Sequence, residues 1–155
     1  DPAHPFRVVA SYSEVEVRGT AFSVRRDDEA DRVVLEHGLV EGRRVGNQPE
    51  KANLRPGEMI FASGASLSAI PPADLSTALA WRDGRLIFED QPFSRVLREL
   101  QRYYRGTVVV VDKRHDQLAV TGNYRLDNVE AAIQTLADAA GVSMTRLPGG
   151  IIILR

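Results

Sequence analysis

No cysteine occurs in the sequence, which excludes disulfides, thiol nucleophiles and cysteine metal sites. Histidine is scarce. His4, His37 and His115 each stand alone, with no second ligand at metal-binding spacing. Lysine is rarer still, at positions 51 and 113 only, so the positive charge is carried almost entirely by arginine. Neither sign of charge dominates. Residues 1–84 hold 10 basic and 13 acidic side chains and residues 85–155 hold 10 and 8, which sums to the formal net charge of −1. A chain so balanced gives no electrostatic reason to bind nucleic acid or a lipid surface. No apolar run approaches the roughly 20 residues that span a bilayer, and no signal peptide opens the chain. An initiator methionine is also missing, since Met occurs only at 59 and 144. The expectation is therefore an internal piece of a longer protein, with any targeting or membrane segment upstream of Asp1.

The sequence carries none of the familiar catalytic motifs. There is no Gly-x-Ser-x-Gly elbow to present a nucleophile. Ser63-Gly64-Ala65-Ser66 lacks the lysine and following helix of a phosphate loop and reads as a turn. Asp27-Asp28-Glu29-Asp31 and Glu89-Asp90 lack the alternating oxygen ligands around a glycine that calcium requires, so both read as solvated acidic turns. No catalytic residue, cofactor or metal is assigned.

The residues present fall into two patterns. Up to Ile70, strict apolar–polar alternation recurs in short runs such as Glu14 to Arg18 and Ala21 to Arg25. Alternation with period two marks half-buried strands. Arg32 to Glu36, Leu39 to Glu41, Met59 to Ala62 and Ser66 to Ile70 add further strands, while Gly42 to Glu50 reads as a polar loop. Leu54-Arg55-Pro56-Gly57-Glu58 places Pro-Gly at the centre of a tight turn. An all-β layer of seven to nine short strands is expected. Pro71-Pro72-Ala73-Asp74 marks a boundary, with one or two helical turns over Leu75 to Trp81.

From there a strand–helix–strand unit appears twice. Leu86 to Glu89, Pro92 to Tyr104 and Thr107 to Val111 form the first copy; Leu118 to Tyr124, Asn128 to Ala140 and Ser143 to Leu147 form the second. An offset of 36 residues lays Phe93 on Val129, Val96 on Ala132, Leu97 on Ile133 and Leu100 on Leu136. The stripes are narrow, so each helix is expected to pack on a sheet with its other side wet. Gln91 is the expected N-cap of the first helix with Pro92 at its first position, and Asp127 with Glu130 has capping-box spacing for the second. Val108 to Val111 is apolar on both faces and is expected to be buried or central. Ile151 to Leu154 is equally apolar, follows a Pro148-Gly149-Gly150 turn, and is expected to pair with Val142 to Leu147.

One exposed cluster suits recognition. Tyr104 continues the apolar stripe and belongs to the core. Arg95, Arg98, Glu99 and Arg102 are expected to face outward on the first helix; Arg95, Arg98, Arg102, Tyr103 and Arg105 form either an ordinary helix end or a patch for another protein, since arginine and aromatic side chains anchor protein interfaces. The same residues could stack on bases, but a KH-type reader needs a Gly-x-x-Gly loop between helices and the chain has none.

Five motifs in order carry a family resemblance: Val17-Arg-Gly-Thr-Ala-Phe-Ser-Val24, Leu54-Arg-Pro-Gly-Glu58, Ala80-Trp-Arg-Asp-Gly-Arg-Leu-Ile-Phe88, Pro92 to Leu100, and Val120-Thr-Gly-Asn-Tyr124. Together they resemble the periplasmic part of FecR-family sigma-factor regulators, or anti-sigma factors. In these a FecR β-domain precedes a small domain of the secretin and TonB short N-terminal (STN-like) type. The resemblance implies an all-β domain over 1–80 and an α+β domain of two strand–helix–strand repeats over 81–155. It implies a regulator rather than an enzyme, placed in the periplasm and tethered to the inner membrane in the full-length protein. The implied partner is the periplasmic N-terminal signalling domain of a TonB-dependent outer-membrane transducer, controlling an ECF sigma factor for iron–siderophore uptake. The sigma factor and the membrane would be met only through regions upstream of Asp1. Motif positions Gly19, Pro56, Gly57, Trp81 and Gly84 are expected as turns and core rather than contacts. Two binding routes stay open, strand addition to an exposed sheet edge and docking of the arginine-bearing helix face. A structural role in a secretin-like envelope assembly is a further reading, distinguished by the absence of the first two motifs from secretins. A carbohydrate-active enzyme is another, and would need carboxylates paired across a cleft.

Overall fold

Short alternating runs cannot bury both faces of a strand, so the first half of the chain resolves into two sheets that share one core. A computed structural model describes residues 6–17, 19–26, 30–46, 50–70 and 74–155. His4, the Asp27-Asp28-Glu29 turn and the Pro71-Pro72-Ala73 boundary lie outside the described residues. The chain forms two compact units, Asp1–Leu79 and Ala80–Arg155.

The first unit has eight strands among the described residues: β1 (Phe6–Val9), β2 (Ser13–Val17), β3 (Ala21–Arg26), β4 (Ala30–His37), β5 (Val40–Arg44), β6 (Lys51–Leu54), β7 (Met59–Ser63) and β8 (Leu67–Ile70). They pair as two four-stranded antiparallel sheets, in the orders β1-β2-β5-β6 and β3-β4-β7-β8. Val15, Val17, Val40 and Leu54 from the first sheet meet Val33, Leu35, Ile60 and Ala62 from the second in a single buried cluster. The polar loop expected over Gly42 to Glu50 gives way to strand at its start, because Gly42 to Arg44 extend β5. Lys51–Leu54 also pairs, against β5, although only Leu54 of its four residues is buried. The Pro56-Gly57 turn is present, with Gly57 at φ 87° and Glu58 N–H donating to the Arg55 carbonyl at 2.9 Å. A short helix, α1 (Leu75–Ala78), closes the unit, capped by the Asp74 carboxylate, which accepts from the Ser76 N–H.

A buried charge ties the two sheets. Asp31 on β4 is fully buried, and its Oδ2 accepts from the Tyr12 N–H (2.6 Å), the Ser13 N–H (2.8 Å) and the Ser13 hydroxyl (2.9 Å) at the start of β2. Three donors on one carboxylate oxygen replace much of the hydration that the charge loses.

The second unit opens with a 3₁₀ turn (Ala80–Asp83) and continues through β9 (Arg85–Pro92), α2 (Phe93–Gln101), β10 (Thr107–Val110), β11 (Ala119–Arg125), α3 (Val129–Ala139), β12 (Met144–Leu147) and β13 (Ile151–Leu154). The repeat is thus strand–helix–strand twice over, but its strands are divided. The first strand of each copy joins a two-stranded antiparallel ribbon, β9 with β11. The second strand of each joins a three-stranded sheet of order β10-β13-β12, in which β10 runs parallel and β12 antiparallel to β13. The aligned stripe positions Phe93, Val96, Leu97, Leu100, Ala132, Ile133 and Leu136 are all buried, and Val129 packs against them. The helices also pack on one another, so each buries its stripe against helix and strands together.

Four local expectations are corrected. Strand β9 runs on through Pro92, which becomes the N-cap of α2 without a side-chain bond, in place of Gln91. On α3 the cap is Asn128, whose Oδ1 accepts from the Ala131 N–H at 3.0 Å; Asp127 pairs instead with Arg125, and Glu130 with Arg146. The valine strand is neither buried nor central: Val109 and Val111 are exposed, β10 is an edge, and β13, paired on both sides, holds the middle. Trp81 is not core either, being 41% exposed with the Arg82 guanidinium 5.9 Å from its ring centroid.

The parallel pairing of β10 with β13 depends on two glycines. The Thr107 N–H and the Tyr104 hydroxyl both donate to the Gly150 carbonyl at 3.0 Å. A Cβ on Gly106 would stand 1.9 Å from that carbonyl oxygen. Gly106→Ala should therefore cost the second unit about 1–3 kcal/mol, the usual penalty of overpacking, read in urea unfolding followed by the single tryptophan, Trp81. In the first unit, Asp31→Ala strands three donors and should cost about 2–4 kcal/mol, read as faster hydrogen exchange across β2 and β4. A loss under about 0.5 kcal/mol at either position would contradict the role given to it here.

Candidate protein-binding surface

Helix α2 sorts its residues by the 3.6 period. Phe93, Val96, Leu97 and Leu100 are buried, while Arg95, Arg98 and Arg102, the C-cap, are exposed on the other side; Glu99, expected to face outward, is instead buried beside Leu100. Arg95 donates to the Gln91 carboxamide oxygen at 2.7 Å, which fixes it toward the helix start. Tyr103 and Arg105 fall in the turn that leads into β10; Tyr103 is 40% exposed and Arg105 exposed. Tyr104 is partly buried against the core and spends its hydroxyl on Gly150. Arg95, Arg98 and Arg102 lie along one side of the helix, and Tyr103 and Arg105 lie in the turn between Arg102 and β10.

What sequence reasoning missed is the strand beside them. Thr107 and Val109 point away from the core and Val108 and Val110 toward it, with Val109 43% and Val111 65% exposed. On the same outer face, Ile151 and Ile153 are half-buried and Leu147 is exposed. The signal was present as a strand without polar residues, but such a run reads alike for a central strand and for an edge.

Past β10, the Arg114 guanidinium bonds the Asp112 carboxylate, which holds that carboxyl below its ordinary value and raises Arg114. Arg125 does the same to Asp127 in a shallow recess at the end of the ribbon, lined also by Asp83, Arg85 and Asn123. Each of these shifts deepens a charge already present at neutral pH, as surface ion pairs do. Burial raises the Tyr124 hydroxyl and keeps it neutral.

The other sequence candidates have local settings of their own. His37 is exposed at the end of β4, and His115 sits half-buried in the turn before β11. Ser63 and Ser66 close a turn, the Ser63 Oγ accepting from the Ala65 and Ser66 N–H groups at 3.3 and 3.1 Å. Among the described residues no three His, Asp or Glu side chains group to hold a metal, and no helix is long and apolar enough to cross a membrane.

The FecR C-terminal family matches residues 85–154, which span the ribbon, both helices and the three-stranded sheet. Two crystal structures from Parabacteroides distasonis, of a protein provisionally named an anti-sigma factor, share the fold along the chain. One aligns with a TM-score of 0.80 at 24% identity over 99% of this chain and 72% of the other. The second aligns with a TM-score of 0.79 at 25% identity over 100% of this chain and 73% of the other. No curated protein matches the chain. Residues 85–154 are a FecR C-terminal domain, and the fold of the chain along its length is shared with both of these anti-sigma factor structures.

Proposed function

We propose that this chain is the periplasmic receiving part of an inner-membrane sigma-factor regulator. In this reading it binds the N-terminal signalling domain of a TonB-dependent outer-membrane transducer, and so governs an ECF sigma factor for iron–siderophore uptake. The first unit is read as the FecR-type all-β domain, 1–80, and the second as the STN-like domain, 81–155. The observation that carries the reading is the joint one, a FecR C-terminal domain over 85–154 within a chain whose fold, from end to end, is that of an anti-sigma factor structure.

Physical features of the second unit favour binding over chemistry. Its side chains outside the core are exposed arginines, surface ion pairs and apolar strand residues, the materials of a protein contact. Of the two routes, strand addition fits better, because main-chain hydrogen bonds supply affinity at an open edge. Exposed helix arginines act mainly on the rate of encounter.

A titration of the chain against the isolated N-terminal signalling domain of each TonB-dependent transducer of the source genome tests the reading. One of them is expected to form a saturable complex with Kd near or below about 1 μM, equivalent to about −8 kcal/mol. Arg98→Glu/Arg102→Glu should weaken that complex less than about fivefold, mostly through the association rate. Absence of a complex with any such domain would sink the proposal.

A further inference from the structure

We infer that the outer edge of β10 is where a partner strand adds, and that the partner strand alternates apolar residues between two acidic ends. This rests on the reading of the chain as a receiver for another protein's signalling domain, and it names the surface and the chemistry of the contact.

The backbone leaves this edge open. Thr107 N–H bonds the Gly150 carbonyl and Val111 N–H the Leu154 carbonyl, as parallel pairing with β13 requires of alternate residues. The main-chain groups of Val108 and Val110 therefore point outward. The Gln101 carboxamide reaches the Val108 carbonyl at 3.4 Å, a long bond that an incoming N–H can displace. The two outward N–H groups and the Val110 carbonyl make no bond within the sheet.

Among the described residues, every other edge strand carries a device that discourages pairing. On β12, Arg146 is held in an ion pair with Glu130. The ribbon is interrupted by a register shift, with Asp90 at φ 48° on β9 opposite. On β1, Arg7 pairs with Glu14, and on β6, Lys51 with Glu41. A register shift marks β3 as well, which ends in two arginines, and on β8 the Leu67 N–H is already taken by the Glu50 carboxylate. Against these, β10 is Thr-Val-Val-Val with no charge, proline, glycine or bulge. Its outer face continues into Ile153, Ile151 and Leu147, so an added strand would extend an apolar surface rather than begin one.

Charge selects the occupant. Arg105 precedes the strand and Lys113 follows it, both exposed, and neither has an ion pair among the described residues. Were a second copy of the chain to add its own β10 antiparallel, pairing Val108 with Val110 would set Arg105 against Lys113 at both ends. Like charges so placed oppose self-pairing. A strand with Asp or Glu beyond each end meets the same two cations favourably, so the fit is to a different protein.

The test uses the transducer domain that binds the unaltered chain. Val108→Pro removes an N–H that the sheet does not use and places a ring where the added strand would lie. Arg105→Glu/Lys113→Glu reverses the two flanking charges. Each variant should weaken the complex at least tenfold, and the charge variant's deficit should shrink as salt is raised. A Val108→Pro variant that melts cooperatively and binds with the unaltered Kd overturns the inference while leaving the receiver reading intact. Should that variant not fold, the charge variant decides alone, and an unaltered Kd overturns the inference equally. A chain that dimerises by sedimentation, and is dispersed by Val108→Pro, would assign the edge to a second copy and overturn the stated occupant. If no transducer domain binds the unaltered chain, the receiver reading and the inference both fail.

Discussion

The parallel pairing of β10 with β13 is the interaction on which the second unit turns. It brings the end of the first strand–helix–strand copy against the strand that closes the chain, across an approach to Gly150 that leaves no room for a Cβ on Gly106. Without it β10 would have no partner, the three-stranded sheet would shrink to a hairpin, and the inner valines would lose their cover. Because each copy gives one strand to the ribbon and one to the sheet, neither copy can bury its helix alone. The repeat is thus one fold made twice over, and its cooperativity follows from that exchange of strands.

The same pairing decides what the unit offers to the outside. A parallel strand at a sheet's margin is bonded on one side only, and the outward groups of Val108 and Val110 follow from that geometry. The helix face with Arg95 and Arg98 supplies charge at a distance, whereas the strand supplies main-chain bonds and apolar contact. On the proposed reading, a receiver of another protein's signal needs a surface that pairs reversibly with one partner. An open, uncharged edge between two cations meets that need, and the surface ion pairs elsewhere keep the rest of the unit polar.

The two helices were legible because burial on one side of a helix imprints a 3.6-residue period that nothing else produces. Phe93, Val96, Leu97 and Leu100 carry that imprint, as do Ala132, Ile133 and Leu136. Most of the strands before Ile70 were legible by alternation, but Lys51–Leu54 was not, since only tertiary pairing with β5 makes that polar stretch a strand. Capping was misread where two candidates stood side by side. Asp127 and Asn128 are equally good caps in sequence, and Arg125 drew Asp127 away. Of the binding surface, the outward arginines could be read from helix phase. The edge could not, because a run of valines has the same composition whether one or both flanks are paired; only the choice of β13 as the middle strand settles it.

Hydrogen–deuterium exchange, resolved to single amides by NMR with and without the transducer signalling domain, tests the central claim most directly. The account predicts that the Val108 and Val110 amides exchange readily in the free chain and slow at least tenfold in the complex. Thr107 and Val111, already bonded to β13, should change little. Protection confined to the α2 surface, or to the first unit, with Val108 and Val110 unchanged, would contradict it.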